Sequence, residues 1–249
     1  MDIVLEAKNL TKVYGSGEGT VHALRGVSVG IERGSFTAII GKSGCGKTTL
    51  LKMINKLNSI DSGDILIDST SVSEIPVSEL PKKIGYVVQE GGLFPHMTVR
   101  ENVEYGLRVR KIGGDEARRR VDRRLASFGI DGIADRYPGV ISGGEAQRTA
   151  LARALVLEPE ILLLDEPFSA LDPATKRQMY GVVREVHKRF DCTIVFVTHD
   201  FEEARILADK VGIVLDGSLR TVRDADCLFD ADGLDDDVLA FLDIDNATS

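Results

Sequence analysis

The run Gly41-Lys42-Ser43-Gly44-Cys45-Gly46-Lys47-Thr48-Thr49 matches the pattern GxxxxGK[ST], and its flanks are those the pattern requires. Phe36 to Ile40 ahead of it is a short apolar run of strand character. Thr48 to Ile54 behind it puts Leu50, Leu51 and Ile54 on one helical side. Such a chain must turn sharply from a buried strand into a helix. Glycines at the turn let successive backbone N–H groups face inward, and the helix N-terminus adds the positive end of its dipole. The result is a cradle for phosphate. Lys47 is expected to reach the β- and γ-phosphates of a nucleotide, and the Thr48 hydroxyl to hold Mg2+.

Charge and cysteine usage narrow the class further. The formal charge of -8 is a property of one end: from Asp224 onward there are nine aspartates and no Lys, Arg or Glu, so residues 1–223 net about +1. A chain so balanced gives no support to nucleic-acid binding, and the patch Arg118-Arg119-Arg120 with Arg123-Arg124 reads as a solvated helix face. No apolar run approaches the roughly 18 residues of a membrane span, so a membrane role needs a partner. Met1-Asp2-Ile3-Val4 opens directly into strand-like sequence, which argues against secretion. Cys45, Cys192 and Cys227 have no metal-ligand spacing and read as reduced thiols, and the four histidines are scattered. Cys45, beside Lys47 and at a helix start, is expected to have a lowered pKa and a reactive thiol, with Cys192 buried and slow.

Strands and helices alternate as in an α/β sheet. Ile3 to Lys8 and Val21 to Ile31 form an antiparallel opening around a Gly15–Gly19 turn. Residues of about 90–155 change character: Thr98-Val99-Arg100-Glu101 is a capping box, Gly113-Gly114 breaks the helix it opens, and Asp115 to Phe128 makes a second helix. This predicts a helical lobe inserted into an α/β core. Ile161 to Leu164 and Thr193 to Val197 are buried parallel strands, with a helix between them starting at Asp172-Pro173. The domain expectation is one unit over residues 1–223 and an acidic tail over 224–249. In the tail, Leu234, Val238, Leu239, Phe241 and Leu242 form an apolar stripe that predicts a docked helix over 234–242, with disorder as the alternative.

The strand Ile161-Leu162-Leu163-Leu164 ends in Asp165-Glu166-Pro167. A carboxylate at the end of a buried parallel strand beside a phosphate loop suits a Mg2+ sphere, and a second one next to it suits polarising a water. Asp165 is therefore expected to bind Mg2+ and Glu166 to act as general base.

Further motifs occur in the order of one family. Ile141-Ser142-Gly143-Gly144-Glu145-Ala146-Gln147-Arg148 resembles the LSGGQ signature of ATP-binding-cassette (ABC) proteins. Ser169-Ala170-Leu171-Asp172 resembles their D-loop, Thr198-His199-Asp200 their switch histidine, Gln89 their Q-loop glutamine, and Tyr14 the aromatic that stacks on adenine. The resemblance spans about residues 3–220. It implies a P-loop NTPase core of the ABC ATPase type, α/β, with an antiparallel β subdomain and an inserted α-helical lobe. It also implies ATP and Mg2+ as cofactors and a head-to-tail dimer, in which Ser142, Gly143 and Gly144 of one copy close over the γ-phosphate held by Lys47 of the other. His199 would contact the γ-phosphate and the attacking water, Asp172 would belong to the nucleotide site, and Gln89 would link Mg2+ and water to the helical lobe. Two positions depart from the family pattern. Ile141 replaces leucine at nearly constant volume. Glu145 replaces glutamine, which puts a negative charge near the triphosphate but completes an SxxE capping box with Ser142.

The resemblance implies transport through partner membrane permease subunits, with a solute-binding protein, from a cytoplasmic position on the inner face of the membrane. Gly91-Gly92-Leu93-Phe94-Pro95-His96-Met97-Thr98-Val99 and Asp165-Glu166-Pro167-Phe168 look like importers. Thr20-Val21-His22-Ala23-Leu24-Arg25-Gly26 and the SGGE signature look like exporter and lipoprotein-release ATPases. Leu51–Leu57 and Ile84–Gln89 look like ATPases for osmoprotectants such as betaine, whereas Thr198–Ala204 looks like those for molybdate or tungstate. Import of a small polar or ionic solute is the expectation, with export and a soluble non-transport role as alternatives.

Overall fold

A computed structural model describes residues 2–89 and 92–243. Gly91, part of the importer-like run, lies outside the described residues, and so do Met1 and Glu90. The chain forms two compact units, Met1–Val77 with Thr193–Ser249, and Ser78–Cys192.

The first unit opens with β1 (Ile3–Tyr14) and β2 (Val21–Glu32), paired antiparallel. After β3 (Phe36–Ile40) and α1 (Lys47–Ile54) come β4 (Ser62–Ile67) and β5 (Thr70–Ser71), which complete an antiparallel sheet in the order β2-β1-β4-β5. In β1, Val4, Leu5, Ala7 and Leu10 are buried, whereas β3 is buried at every position. That contrast is the one expected between a half-exposed antiparallel strand and a central parallel one.

The second unit contains α2 (Leu80–Lys83), β6 (Ile84–Val87), α3 (Val99–Val109), α4 (Gly114–Ser127), α5 (Gly143–Leu155), β7 (Ile161–Asp165) and α6 (Pro173–Phe190). β6 and β7 pair in parallel, and β7 is buried throughout. Helices α3 and α4 form the helical stretch expected after residue 90. α3 starts at the Thr98 capping box, with Glu101 Oε2 accepting from the Thr98 N–H at 2.7 Å. Asn102, with 0% exposure, donates to the carbonyls of Phe94, Met97 and Thr98 and accepts the Phe94 N–H, so it locks the turn before α3.

The chain returns to the first unit with β8 (Thr193–Thr198), α7 (Phe201–Leu207), β9 (Lys210–Leu215), β10 (Ser218–Asp224) and α8 (Asp236–Leu242). β3 runs parallel to both β8 and β9, and β9 and β10 form an antiparallel hairpin. The tail forms a helix that is shorter than the expected 234–242 and leaves Leu234 outside it: Asp235 caps α8 by accepting the Val238 N–H at 2.8 Å, and Val238, Leu239 and Leu242 are buried.

Candidate functional site

The candidate residues divide between the two units. In the first, β3 delivers the chain to a loop that only glycines can complete at two points. A Cβ on Gly41 would lie 2.1 Å from the Val214 carbonyl oxygen, and one on Gly46 would lie 2.2 Å from that of Ala23. Gly46 has φ +103 and is the N-cap of α1, so the cap position brings no side-chain acceptor to the first turn. Lys47 is 5% exposed, and its Nζ donates to the carbonyls of Gly41 at 2.7 Å and Lys42 at 2.9 Å. The ammonium is thus held across the loop by its carbonyl oxygens. Lys42, Ser43 and Gly44 are exposed at the loop surface, and Thr48 and Thr49 are half-buried in the first turn of α1. Lys42, Ser43, Gly44 and Cys45 line a cavity of ≈ 550 Å³ with Thr20, Val21 and His22.

Cys45 corrects the expectation of a reactive thiol. It is 7% exposed, and burial pushes its pKa up, only partly opposed by Lys47. The sulfur lies in the space a Gly41 Cβ would need, 2.6 Å from that position. Desolvation there outweighs the cation. Cys192 is buried as expected, and burial pushes it up to about 11.

Tyr14 ends β1 with 40% of its surface exposed. Its hydroxyl accepts from Asn58 Nδ2 at 2.7 Å, and Lys12 Nζ lies 5.5 Å from the ring centroid. The ring is therefore oriented from its edge while remaining accessible. His199, exposed beyond β8, borders a separate cavity of ≈ 530 Å³. Its segment is fixed from both sides: the Thr198 hydroxyl donates to buried Glu203 at 2.5 Å, and Asp200 caps α7 by accepting the N–H groups of Glu202 and Glu203.

In the second unit, Asp165 ends β7 with only 2% exposure, and its Oδ2 accepts from the Tyr86 hydroxyl at 3.0 Å. Glu166 follows at φ +44, half-buried, with Gln89 Nε2 at 3.4 Å from its Oε2. Gln89, Asp165 and Glu166 are thereby gathered at the ends of β6 and β7. Mg2+ takes hard oxygen ligands and is commonly held by one or two carboxylates plus substrate phosphates. Within the second unit, the buried Asp165 carboxylate and the Gln89 amide are oxygen donors of that kind.

Ser142 is the N-cap of α5, and Gly143 and Gly144 form the helix's first turn. Glu145 accepts both the Ser142 N–H at 2.7 Å and the Ser142 hydroxyl at 2.8 Å. The substituted carboxylate is thus a cap, and these bonds from Ser142 hold its pKa below the usual carboxylate value. Gly143 and Glu166 line one cavity of ≈ 300 Å³ together with Gln147, Ser169 and Leu171. Asp172 caps α6, accepting the Ala174 and Thr175 N–H groups and the Thr175 hydroxyl. In the run before α3, Phe94 packs against Tyr105 with the rings tilted by 48° and centroids 4.6 Å apart, and the Arg153 guanidinium lies over the Phe94 ring.

Sequence reasoning passed over Tyr86, Asn102 and Glu203. Tyr86 lies in a stretch read only for its likeness to relatives, and its partner is 79 residues away. Glu203 carried a local signal, an acidic residue in the first turn after a Thr-His-Asp segment.

Known proteins resemble this chain in sequence and in fold. A family model described as "ABC transporter" matches residues 24–169. The sulfate/thiosulfate import ATP-binding protein CysA of Methylococcus capsulatus is 44% identical over 91% of this chain and 64% of its own length. The chain thus spans under two thirds of that relative. The Fe(3+) ions import ATP-binding protein FbpC of Vibrio cholerae is 42% identical over 86% of this chain and 60% of its own length. Among solved structures, the dimeric post-hydrolysis state of the ATP-binding cassette MJ0796 bound to ADP and Pi has a TM-score of 0.79 at 34% identity, covering 89% of this chain and 98% of that one. Clostridium perfringens cbiO1, part of the ABC transporter complex cbiONQ, has a TM-score of 0.83 at 33% identity, covering 93% and 92%.

Proposed function

The chain belongs to the ABC transporter family, and on that premise we propose that it is an ATPase subunit that dimerises on ATP and powers import of a small ionic solute through membrane permease subunits. The observation that carries the reading is the cluster at the end of β7, where buried Asp165 is followed by Glu166 within reach of Gln89.

In this reading Tyr14 stacks on the adenine, and Gly41, Lys42, Ser43, Gly44, Cys45, Gly46, Lys47, Thr48 and Thr49 hold the phosphates. Ser142, Gly143 and Gly144 of a second copy close over the γ-phosphate, with Asp172 in the D-loop beside them. Glu166 takes the proton of the attacking water while His199 contacts that water and the γ-phosphate. Thr48, Asp165 and Gln89 hold Mg2+, which when bound neutralises charge on the phosphate oxygens. Residues 1–223 make the ATPase domain, with a helical lobe over about 90–155, and residues 224–249 an acidic extension.

Import is favoured over export by the relatives, which are named for import of sulfate/thiosulfate and Fe(3+). Those names do not support the likeness to osmoprotectant or molybdate ATPases, which is not carried into the proposal. Among the described residues no helix is long and apolar enough to cross a membrane, in keeping with attachment through permease subunits on the inner membrane face. The turn before α3, with Leu93, Phe94 and Met97 half-exposed over the rigid Asn102 lock, is the surface proposed to receive a short permease segment. A solute-binding protein is the expected further partner. The test is phosphate release by the purified chain, with and without Glu166→Gln, together with copurification from membranes. Hydrolysis unaffected by that substitution, or copurification with ribosomes in place of permeases, would overturn the reading.

A further inference from the structure

None of the roles above uses the acidic extension, yet its helix is built into the first unit. α8 is seated by buried Val238, Leu239 and Leu242, and Arg220 lies 3.7 Å from Asp235 and 3.4 Å from Asp237. Asp237, Ala240 and Phe241 line the same cavity as the phosphate-loop residues Lys42, Ser43 and Gly44. The Phe241 ring also meets the Phe201 ring edge-on, centroids 5.1 Å apart at 75°. Phe201 meets Phe229 in turn, at 6.1 Å and 81°. Phe201 is the first residue of α7, two positions beyond His199, and His199, Phe201 and Phe229 line one cavity.

The His199 imidazole is exposed, and the backbone that carries it is one determinant of its place. That backbone is tied behind by the bond from Thr198 to Glu203, and ahead by the start of α7. At the start of α7, next to the Asp200 cap, Phe201 adds ring contacts of its own, and edge-on aromatic pairs are specific in geometry. We propose that Phe241 is a positioning residue for His199: through Phe201, α8 holds the start of α7 and with it the imidazole two residues earlier. The inference rests on the reading of His199 as the group that contacts the γ-phosphate and attacking water. It gives the tail helix a place in hydrolysis that the aspartates alone do not suggest.

The test is steady-state phosphate release by the full chain carrying Phe241→Ala, Phe241→Tyr, Phe201→Leu or His199→Ala, with a thermal melt on each. Misplacing a catalytic group by a fraction of an ångström to an ångström costs orders of magnitude at most, so Phe241→Ala is expected to lower kcat about tenfold and to leave the KM for ATP within about twofold. Phe241→Tyr keeps a ring in the pair and is expected to stay near the parent rate. Phe201→Leu, which breaks the same pair from the other side, reproduces the kcat loss even where Phe241→Ala folds poorly. The proposal is overturned if Phe241→Ala keeps the parent kcat, if its loss falls on KM, or if Phe201→Leu behaves as the parent while His199→Ala is inactive. If His199→Ala itself hydrolyses at the parent rate, the reading of His199 falls and takes this inference with it.

Discussion

The hydroxyl of Tyr86 donates to Oδ2 of Asp165 at 3.0 Å, tying strand β6 to the carboxylate that ends β7. A carboxylate with 2% exposure is costly unless it is hydrogen-bonded. Burial, and then the charge of Asp165, push the Tyr86 phenol up, so it stays a donor at any working pH. Tyr86→Phe is expected to cost about 1.5–3 kcal/mol, the range for a hydrogen bond to a charged group. It is also expected to raise the Mg2+ concentration needed for half-maximal ATPase activity, because Asp165 loses an orienting partner. Urea unfolding and a Mg2+ titration check the two effects. A variant with parent values in both would show that the bond neither stabilises nor orients the carboxylate.

Glu145 offers a pH test. Its pKa is lowered in the fold by the Ser142 N–H and hydroxyl, from an ordinary value of 4.5. For a group depressed on folding, the contribution to stability is complete above the unfolded value and is lost as pH falls through the folded one. Melting temperature is therefore expected to fall more steeply in the parent than in Glu145→Gln as pH drops below about 4.5, whereas the two run parallel from neutral pH down to that value, because the amide keeps the cap without titrating. Glu145→Ala loses the cap itself and is expected to cost about 1 kcal/mol at neutral pH. Parallel acid limbs in the parent and Glu145→Gln would exclude the capping role.

What was legible in the chain was chemistry acting over three or four residues. Thr98 with Glu101, Ser142 with Glu145, and Asp172 with Pro173 predicted helix starts, and each cap forms with the expected partners. The phosphate loop was readable for the same reason, since strand, glycines and helix follow one another directly. What escaped was set by distant packing. The Tyr86–Asp165 bond exists because β6 and β7 pair in a register that no local pattern announces. Cys45 was misjudged because its neighbours in sequence are a lysine and N–H groups, while its burial comes from the tight approach of Gly41 and β9. In the tail, nine aspartates argued for disorder and a five-residue apolar stripe for a helix. Burial of Val238, Leu239 and Leu242 decides for the helix, with Asp235, Asp236 and Asp237 exposed at its start.

The three cysteines are expected to differ in reactivity toward an alkylating agent. Cys227 is exposed, although hydrogen bonding to Asp230 raises its pKa. Cys45 and Cys192 are buried and raised by desolvation. Labelling near pH 8 is expected to run Cys227 first, then Cys45, then Cys192, and MgATP to slow Cys45 alone, because phosphates fill the loop that carries it. Peptide mapping by mass spectrometry gives the order. Equal labelling of Cys45 with and without MgATP would mean that the triphosphate sits elsewhere.

Glu166→Gln separates closure from chemistry. Glu166 sits at the end of β7 with φ +44, and Gln89 is its neighbour at 3.4 Å. Glutamine keeps the size and shape of the side chain, so the phosphate contacts of Lys47 and Thr48 and the geometry of the strand end are spared. What disappears is the carboxylate proposed to take a proton from the attacking water. General-base catalysis contributes about 10²–10⁴-fold, and hydrolysis is expected to fall by that factor while ATP still binds. A dimer that forms on ATP and is dissolved by hydrolysis then persists. Size-exclusion chromatography of the variant is expected to show a dimer in ATP and a monomer without nucleotide. The parent protein, under hydrolysing conditions, is expected to return to the monomer. A variant that hydrolyses at the parent rate and remains monomeric in ATP would remove Glu166 from the role of base, and with it the reason for reading the cluster at the end of β7 as the site of water attack.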